Sequence, residues 1–322
     1  MISTGSYTTL ARLRWIEALP WAAALFFFFL APESLSFGAR IVIYILFALS
    51  LDIILGYGGI ATLGHAAFFG FGGYTAGIAS AALGITEPFT QIALAAAAAG
   101  LLGLASGAVV LRTHGLTLLM LTLAFTALLA EIANRAVWLT GGADGLSGVT
   151  IAPVFGIFRF DLYGRTAYLY SLGFLFAVWV LVRHIVHAPF GVMLVGIREN
   201  RLRMGAIGAP VQRRLLFAYV LSAALAGVAG GLMTQVNQFV GLNALSFELS
   251  GEILIMLVLG GVGRIYGAFA GPIVYLVAQD QLAKEFPEYW YLGVGILIIA
   301  VVLFARGGVL GIVDKLFPRI GT

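Results

Sequence analysis

Apolar runs of roughly 16 to 24 residues recur along this sequence from end to end, and each is long enough to cross the ~30 Å hydrocarbon core of a bilayer as a helix. Inside a bilayer every backbone N–H and C=O must be satisfied internally, so runs of this length read as helices. The apolar residues come in blocks with no period-2 alternation, which removes the β-barrel. The remaining residues agree with this reading. Of the chain, 61% is hydrophobic and only 10% charged, against about a quarter charged in soluble domains. The expected fold is all-α: a polytopic integral membrane protein of about ten transmembrane helices, some glycine-broken or re-entrant, forming a single transmembrane domain over residues 1–322.

The spans fall at approximately 16–31, 39–56, 60–83, 90–111, 115–138, 167–184, 215–235, 250–263, 265–282 and 289–305. Glycines break the third and the eighth is short, so either is a candidate half-membrane segment. Arg12 and Arg14 before the apolar stretch from Trp21 to Ala31 resemble the start of a secretory signal, but an uncleaved first helix is expected. With ten crossings and the N-terminus inside, 13 of the 18 Lys and Arg residues lie on the cytoplasmic side, as the positive-inside rule asks. Both termini are then cytoplasmic. The absence of cysteine excludes disulfides and thiolate chemistry. The 42 glycines suit close packing of helices that have no water between them.

Two glycine-rich stretches stand out. Gly56 to Tyr74 contains Gly58, Gly59, Gly64, His65, Phe68 and Phe69, and Gly260 and Gly261 open the second, which ends at Pro272. Broken helices expose backbone dipoles to a transported solute near the bilayer midplane, so both stretches are candidates for the translocation path. The competing reading is two crowded helix crossings. His65 is either a proton-relay group or a histidine bonded to a neighbouring helix. Four acidic residues fall in or near spans: Asp52, Glu131, Glu252 and Asp280. Charges at membrane depth normally face a cavity or a partner. Glu131 has Arg135 at i+4 as an ion-pair partner. Asp52 and Asp280 are read as lacking a local basic partner, and so as lining a polar path.

The loop at about 185–214 is the most basic. Between Pro189 and Pro210, Ile197, Met204 and Ile207 recur at helical spacing among Arg198, Glu199, Asn200, Arg201 and Arg203, with Gly196, Gly205 and Gly208 allowing close approach. Such a helix can dock into a partner's groove; alternatively it is a basic loop against lipid headgroups. No G-x-x-x-x-G-K-[ST] phosphate loop, H-E-x-x-H or G-x-S-x-G occurs, so the chain shows no means of hydrolysing ATP and no catalytic set.

The run Gly56-Tyr-Gly-Gly through Leu63-Gly-His-Ala-Ala-Phe-Phe-Gly-Phe-Gly-Gly-Tyr74 resembles a hallmark of permease subunits of branched-chain amino-acid ABC importers. So do Thr140-Gly-Gly-Ala-Asp-Gly-Leu146, Gly196-Ile-Arg-Glu-Asn200 with Gly205-Ala-Ile-Gly208, Phe217 to Gly231, and Leu259-Gly-Gly-Val-Gly-Arg264. These blocks keep the family's order from about residue 40 to 305, and the M-type permease is the nearer of its two kinds. The resemblance implies a bacterial cytoplasmic-membrane protein working with a second related permease, two cytoplasmic ATPase subunits that bind the ATP, and an extracytoplasmic solute-binding protein. It implies no cofactor, metal or enzymatic activity in this chain. The implied cargo is a branched-chain amino acid or a related solute such as urea, an amide or an aromatic acid. The segment 196–208 would contact the ATPase, and Arg201 stands where relatives commonly carry an acidic residue. Without the resemblance, an ion-coupled secondary carrier using Asp52, Asp280 or His65 remains the rival.

Overall fold

The computed structural model describes residues 19–311 apart from 162, 291, 294, 297–298, 300–302 and 304–306. The signal-like N-terminal segment before Leu19, both termini and most of the expected tenth span therefore lie outside the described residues. Helix α1 (Leu19–Leu30) leads into α2 (Leu35–Asp52), where 14 of 18 residues are buried. A helix apolar all round its surface belongs at the centre of a bundle, and α2 packs against four of the helices described below. It ends in a π-helical turn, Ile53–Tyr57. Then come α3 (Ala66–Ala81), α4 (Pro88–Val110), α5 (Leu116–Arg135) and α6 (Arg165–His187). Two short helices, α7 (Pro189–Glu199) and α8 (Arg201–Ala206), precede α9 (Val211–Asn237), α10 (Phe247–Gly260) and α11 (Gly267–Glu285). No strand forms among the described residues, where only isolated bridges occur.

Nine of the ten expected spans are present as helices among the described residues. Five stretches are long and apolar enough to cross a membrane: Pro32–Tyr57, Pro88–Val110, Leu116–Arg135, Arg165–His187 and Val211–Asn237. Helices α3 and α10 have 16 and 14 residues, or ~24 and ~21 Å at 1.5 Å per residue, too short to cross alone.

Each short helix completes its crossing with chain that is not α-helical, which includes a 3-10 turn at Leu242–Leu245. Residues 58–65 run inward from the end of the π turn to α3. Residues 238–246 descend beside α3, with Val240 near Gly77 and Leu245 near Gly70, before α10 begins. The two broken crossings meet where the Ala66 N–H donates to Ser250 Oγ at 3.0 Å. Non-helical backbone at membrane depth survives only where protein or a water-filled cavity surrounds it; residues 62 and 64–70 are buried. Helices α3, α4 and α9 close around this region through small residues. A Cβ on Gly72 would collide with the Gly227 backbone, and one on Gly227 with the Ala95 carbonyl.

The loops sort into two ends. Gln212 Nε2 donates to the Leu111 carbonyl at 3.0 Å and Arg198 reaches the Gly56 carbonyl, so 56–59, 111–115 and 187–214 share one end. At the other, Gln235 Nε2 donates to the Pro88 carbonyl at 2.9 Å and Ser80 Oγ to the Thr150 carbonyl at 2.7 Å. This is the pairing that the alternation of spans demands.

Candidate functional site

The basic end is built around the last turn of α2. Asp52 is buried, and its Oδ1 accepts the Gly263 N–H at 2.7 Å, while Oδ2 has no partner. Gly56 lies against both: a Cβ there would run into Asp52 Oδ1 and the Gly263 backbone. Arg198, from the end of α7, crosses to donate from Nη1 to the Gly56 carbonyl and packs its stem on Gly59. Gly59 holds φ +68° there, a left-handed conformation that other residues adopt only with strain. Gly58 closes the π turn, its N–H donating to the Ile53 carbonyl at 3.1 Å. One arginine thus ties the α7–α8 connection to the ends of two crossings. Beside it, Gly59, Ile60, Ala61, His114, Leu118 and Arg201 line a depression of about 320 Å³.

The polar loop is not one continuous helix. Asn200 takes an extended conformation between α7 and α8 and caps α8, its Oδ1 accepting the Arg203 N–H at 2.9 Å. Ile197 is fully buried and Met204 lies against Gly196, half-buried. Leu202 and Ile207 point outward, 88% and 73% exposed, next to exposed Glu199, Arg203, Gly205 and Gly208.

Deeper in the bundle, His65 is buried with Nε2 2.8 Å from Ser50 Oγ, its ring stacked on Phe47 at 5.3 Å. Phe69 packs on Phe47 at 4.6 Å and Phe68 edge-on to Tyr219 at 5.5 Å. Gly64 lies against the Thr122 carbonyl of α5. His65, Phe68 and Phe69 are therefore core residues in this conformation. The serines that organise this level, Ser50, Ser222 and Ser250, escaped the sequence reading. Ser222 Oγ donates to the Ser50 carbonyl at 2.5 Å. Their signal was a hydroxyl inside each of three apolar runs.

One expectation changes. Asp280 does have a local partner: Lys284 Nζ lies 2.6 Å from its Oδ2, one helical turn on. That i+4 spacing stands in the sequence beside the equivalent Glu131–Arg135 pair, which forms at 2.5 Å. Gly260 meets Gly267 and Gly271 backbone, and Gly261 (φ +119°) lies against Gly267, which is a tight α10–α11 crossing.

The sequence model of a family described as branched-chain amino acid transport system / permease component matches residues 35–302. The chain is 27% identical to the high-affinity branched-chain amino acid transport system permease protein LivM of Escherichia coli (strain K12), covering 94% of this chain and 76% of that protein. It is 24% identical to the probable branched-chain amino acid transport permease protein LivM of Methanocaldococcus jannaschii, over 83% of this chain and 90% of the relative. A probable LivH of the same organism is 26% identical over 52% of this chain. No solved structure matches.

Proposed function

Because the chain belongs to the branched-chain amino acid transport permease family, we propose that it is the M-type permease subunit of an ATP-binding-cassette importer for branched-chain or closely related amino acids. It is a multi-pass membrane protein, and the proposal sets it in the bacterial cytoplasmic membrane with both termini inside. There it holds half of the translocation path beside a second, related permease. Two cytoplasmic ATPases bind and hydrolyse the ATP, a separate binding protein delivers the solute, and this chain performs no covalent chemistry on it. One transmembrane domain spans the whole sequence.

The family match across residues 35–302 carries this reading. The geometry of the basic end supports the division of labour. Leu202 and Ile207 supply an exposed apolar tip and Glu199, Arg201 and Arg203 a charged rim around it, the pattern of a short helix that seats in a partner's groove. Arg198, at the end of α7 just before the Asn200 break, reaches back to Gly56. In our reading α7 and α8 form the coupling segment: the tip follows the ATPase and Arg198 passes that movement to the inner ends of α2 and α10.

Co-purification from mild detergent tests it. The intact protein should bring down its ATPase and the second permease, and Leu202→Asp should lose the ATPase while keeping the permease. Recovery of a lone protein whose uptake follows a proton or sodium gradient would replace the importer with a secondary carrier.

A further inference from the structure

Arg40, Glu248 and Glu252 lie within the membrane-crossing part of the fold yet are not enclosed by it. Arg40 sits eight residues into the span Pro32–Tyr57, ~12 Å along a helix from its start. Glu252 and Glu248 lie eight and twelve residues before Gly260, where α10 reaches the basic end, which is ~12 and ~18 Å. By helix rise alone, all three fall within the length of the crossings that α2 and α10 belong to. Arg40 and Glu248 are exposed and Glu252 is partly so.

The three residues lie on two helices in contact, α2 and α10, on their exposed side. Helix α10 buries Leu249, Ser250, Ile253, Met256 and Leu257. The opposite stripe, at i, i+3, i+4 and i+7, is Glu248, Gly251, Glu252 and Ile255, and a Cβ on Gly251 would meet no atom within 4 Å. Across the contact between α2 and α10, Arg40 lies with its guanidinium carbon 5.6 Å from the Tyr44 ring centre. It is the basic group that acts on Glu252, with Glu248 as the second acidic neighbour. Among the described residues neither glutamate closes an ion pair with Arg40.

Charges of both signs left exposed on membrane-crossing helices are poorly suited to lipid tails; charged residues in spans face water-filled paths or partners. We propose that the exposed side of the α2–α10 contact forms a cleft that is a way-station for the amino-acid zwitterion in transit. The Arg40 guanidinium takes the carboxylate, in the fork geometry suited to it, and Glu252 with Glu248 takes the ammonium. Gly251 leaves room for the backbone of the solute, and Ile255 continues the wall for its apolar side chain. The inference rests on the importer reading and adds to it the residues that the solute touches.

The chain has no cysteine, so thiol labelling of this subunit reads a single introduced site. Gly251→Cys and a control on the apolar face of α4, Leu101→Cys (Leu101 is 68% exposed), would be placed in the full importer in proteoliposomes. Each is treated with a water-soluble cationic methanethiosulfonate. The expected result is labelling of Gly251→Cys at least tenfold faster than the control, slowed severalfold by leucine. Equal, slow labelling of both would show a lipid-facing or partner-covered surface, and fast labelling indifferent to leucine would show a water path that binds none; either overturns the site. In the same vesicles Arg40→Gln should lower leucine uptake at least tenfold and Arg40→Lys far less, with the ATPase retained. Uptake by Arg40→Gln at the unsubstituted rate also overturns it. Failure of the unsubstituted complex to import leucine with ATP would instead strike the importer reading, while the labelling would still report on the cleft.

Discussion

At Gly59 the missing Cβ admits a residue from a distant part of the chain, Arg198, whereas Gly260, Gly267 and Gly271 admit backbone from the adjacent helix. Asp52 and Arg198 press on Gly56 and Gly59; both are polar, and Arg198 is long and flexible. Gly260, Gly267 and Gly271 press on one another and on the Met256 and Gly261 carbonyls. Backbone cannot yield as a side chain can, so we expect the α10–α11 crossing to hold fixed while the α2–α7 contact slides. The two regions meet at Gly263, whose N–H goes to Asp52. A movement of α7 would therefore be felt at a hinge seated on a rigid hairpin.

The largest expected effect is on the rigid side. Gly271→Val places branched carbon against the Met256 carbonyl, where overpacking costs about 3 kcal/mol, enough to leave little folded protein. Gly59→Ala costs about 1 kcal/mol from its left-handed φ and somewhat more from crowding on the root of Arg198, but less than Gly271→Val, because its Cβ would meet Arg198 carbons and not a carbonyl oxygen. Denaturation midpoints in detergent would rank the two. Equal losses would erase the distinction between a welded crossing and a sliding one.

Arg198→Ala sharpens the comparison from the mobile side. Leu202 on α8 and Ile207 just after it stay exposed, so the ATPase should still co-purify. The Gly56 carbonyl loses its donor, and ATP-driven uptake should fall about tenfold, equivalent to ~1.4 kcal/mol of coupling, while ATP hydrolysis continues. Loss of the ATPase along with uptake would make Arg198 a docking residue and leave the link to Gly56 without a role.

The helical class, the fragility of the third and eighth spans and the polar loop were legible because hydropathy and glycine content act over whole segments. The break at Asn200 was not, because an Asn cap and an interior Asn look alike until Arg203 N–H is seen on its side chain. His65 was legible only as a choice between two roles; the Ser50 hydroxyl 15 residues earlier decides its environment. The cleft at Arg40 and Glu252 joins residues 212 positions apart, and no local pattern in the sequence could pair them.

The smallest effect separates the two acidic residues that the sequence treats alike. Asp280 pairs with Lys284, which is 66% exposed, and an exposed i,i+4 ion pair contributes within about 0.5 kcal/mol. Asp280→Asn should leave both stability and uptake near the unsubstituted values. Asp52→Asn keeps an oxygen for the Gly263 N–H but removes the charge beside Arg198, at the point where the sliding contact meets the rigid hairpin. Its uptake should fall, though less than that of Arg198→Ala, because the Arg198–Gly56 bond survives. A loss at Asp280→Asn matching that at Asp52→Asn would place Asp280 on the solute's path and return both residues to the role that their position in apolar spans first suggested.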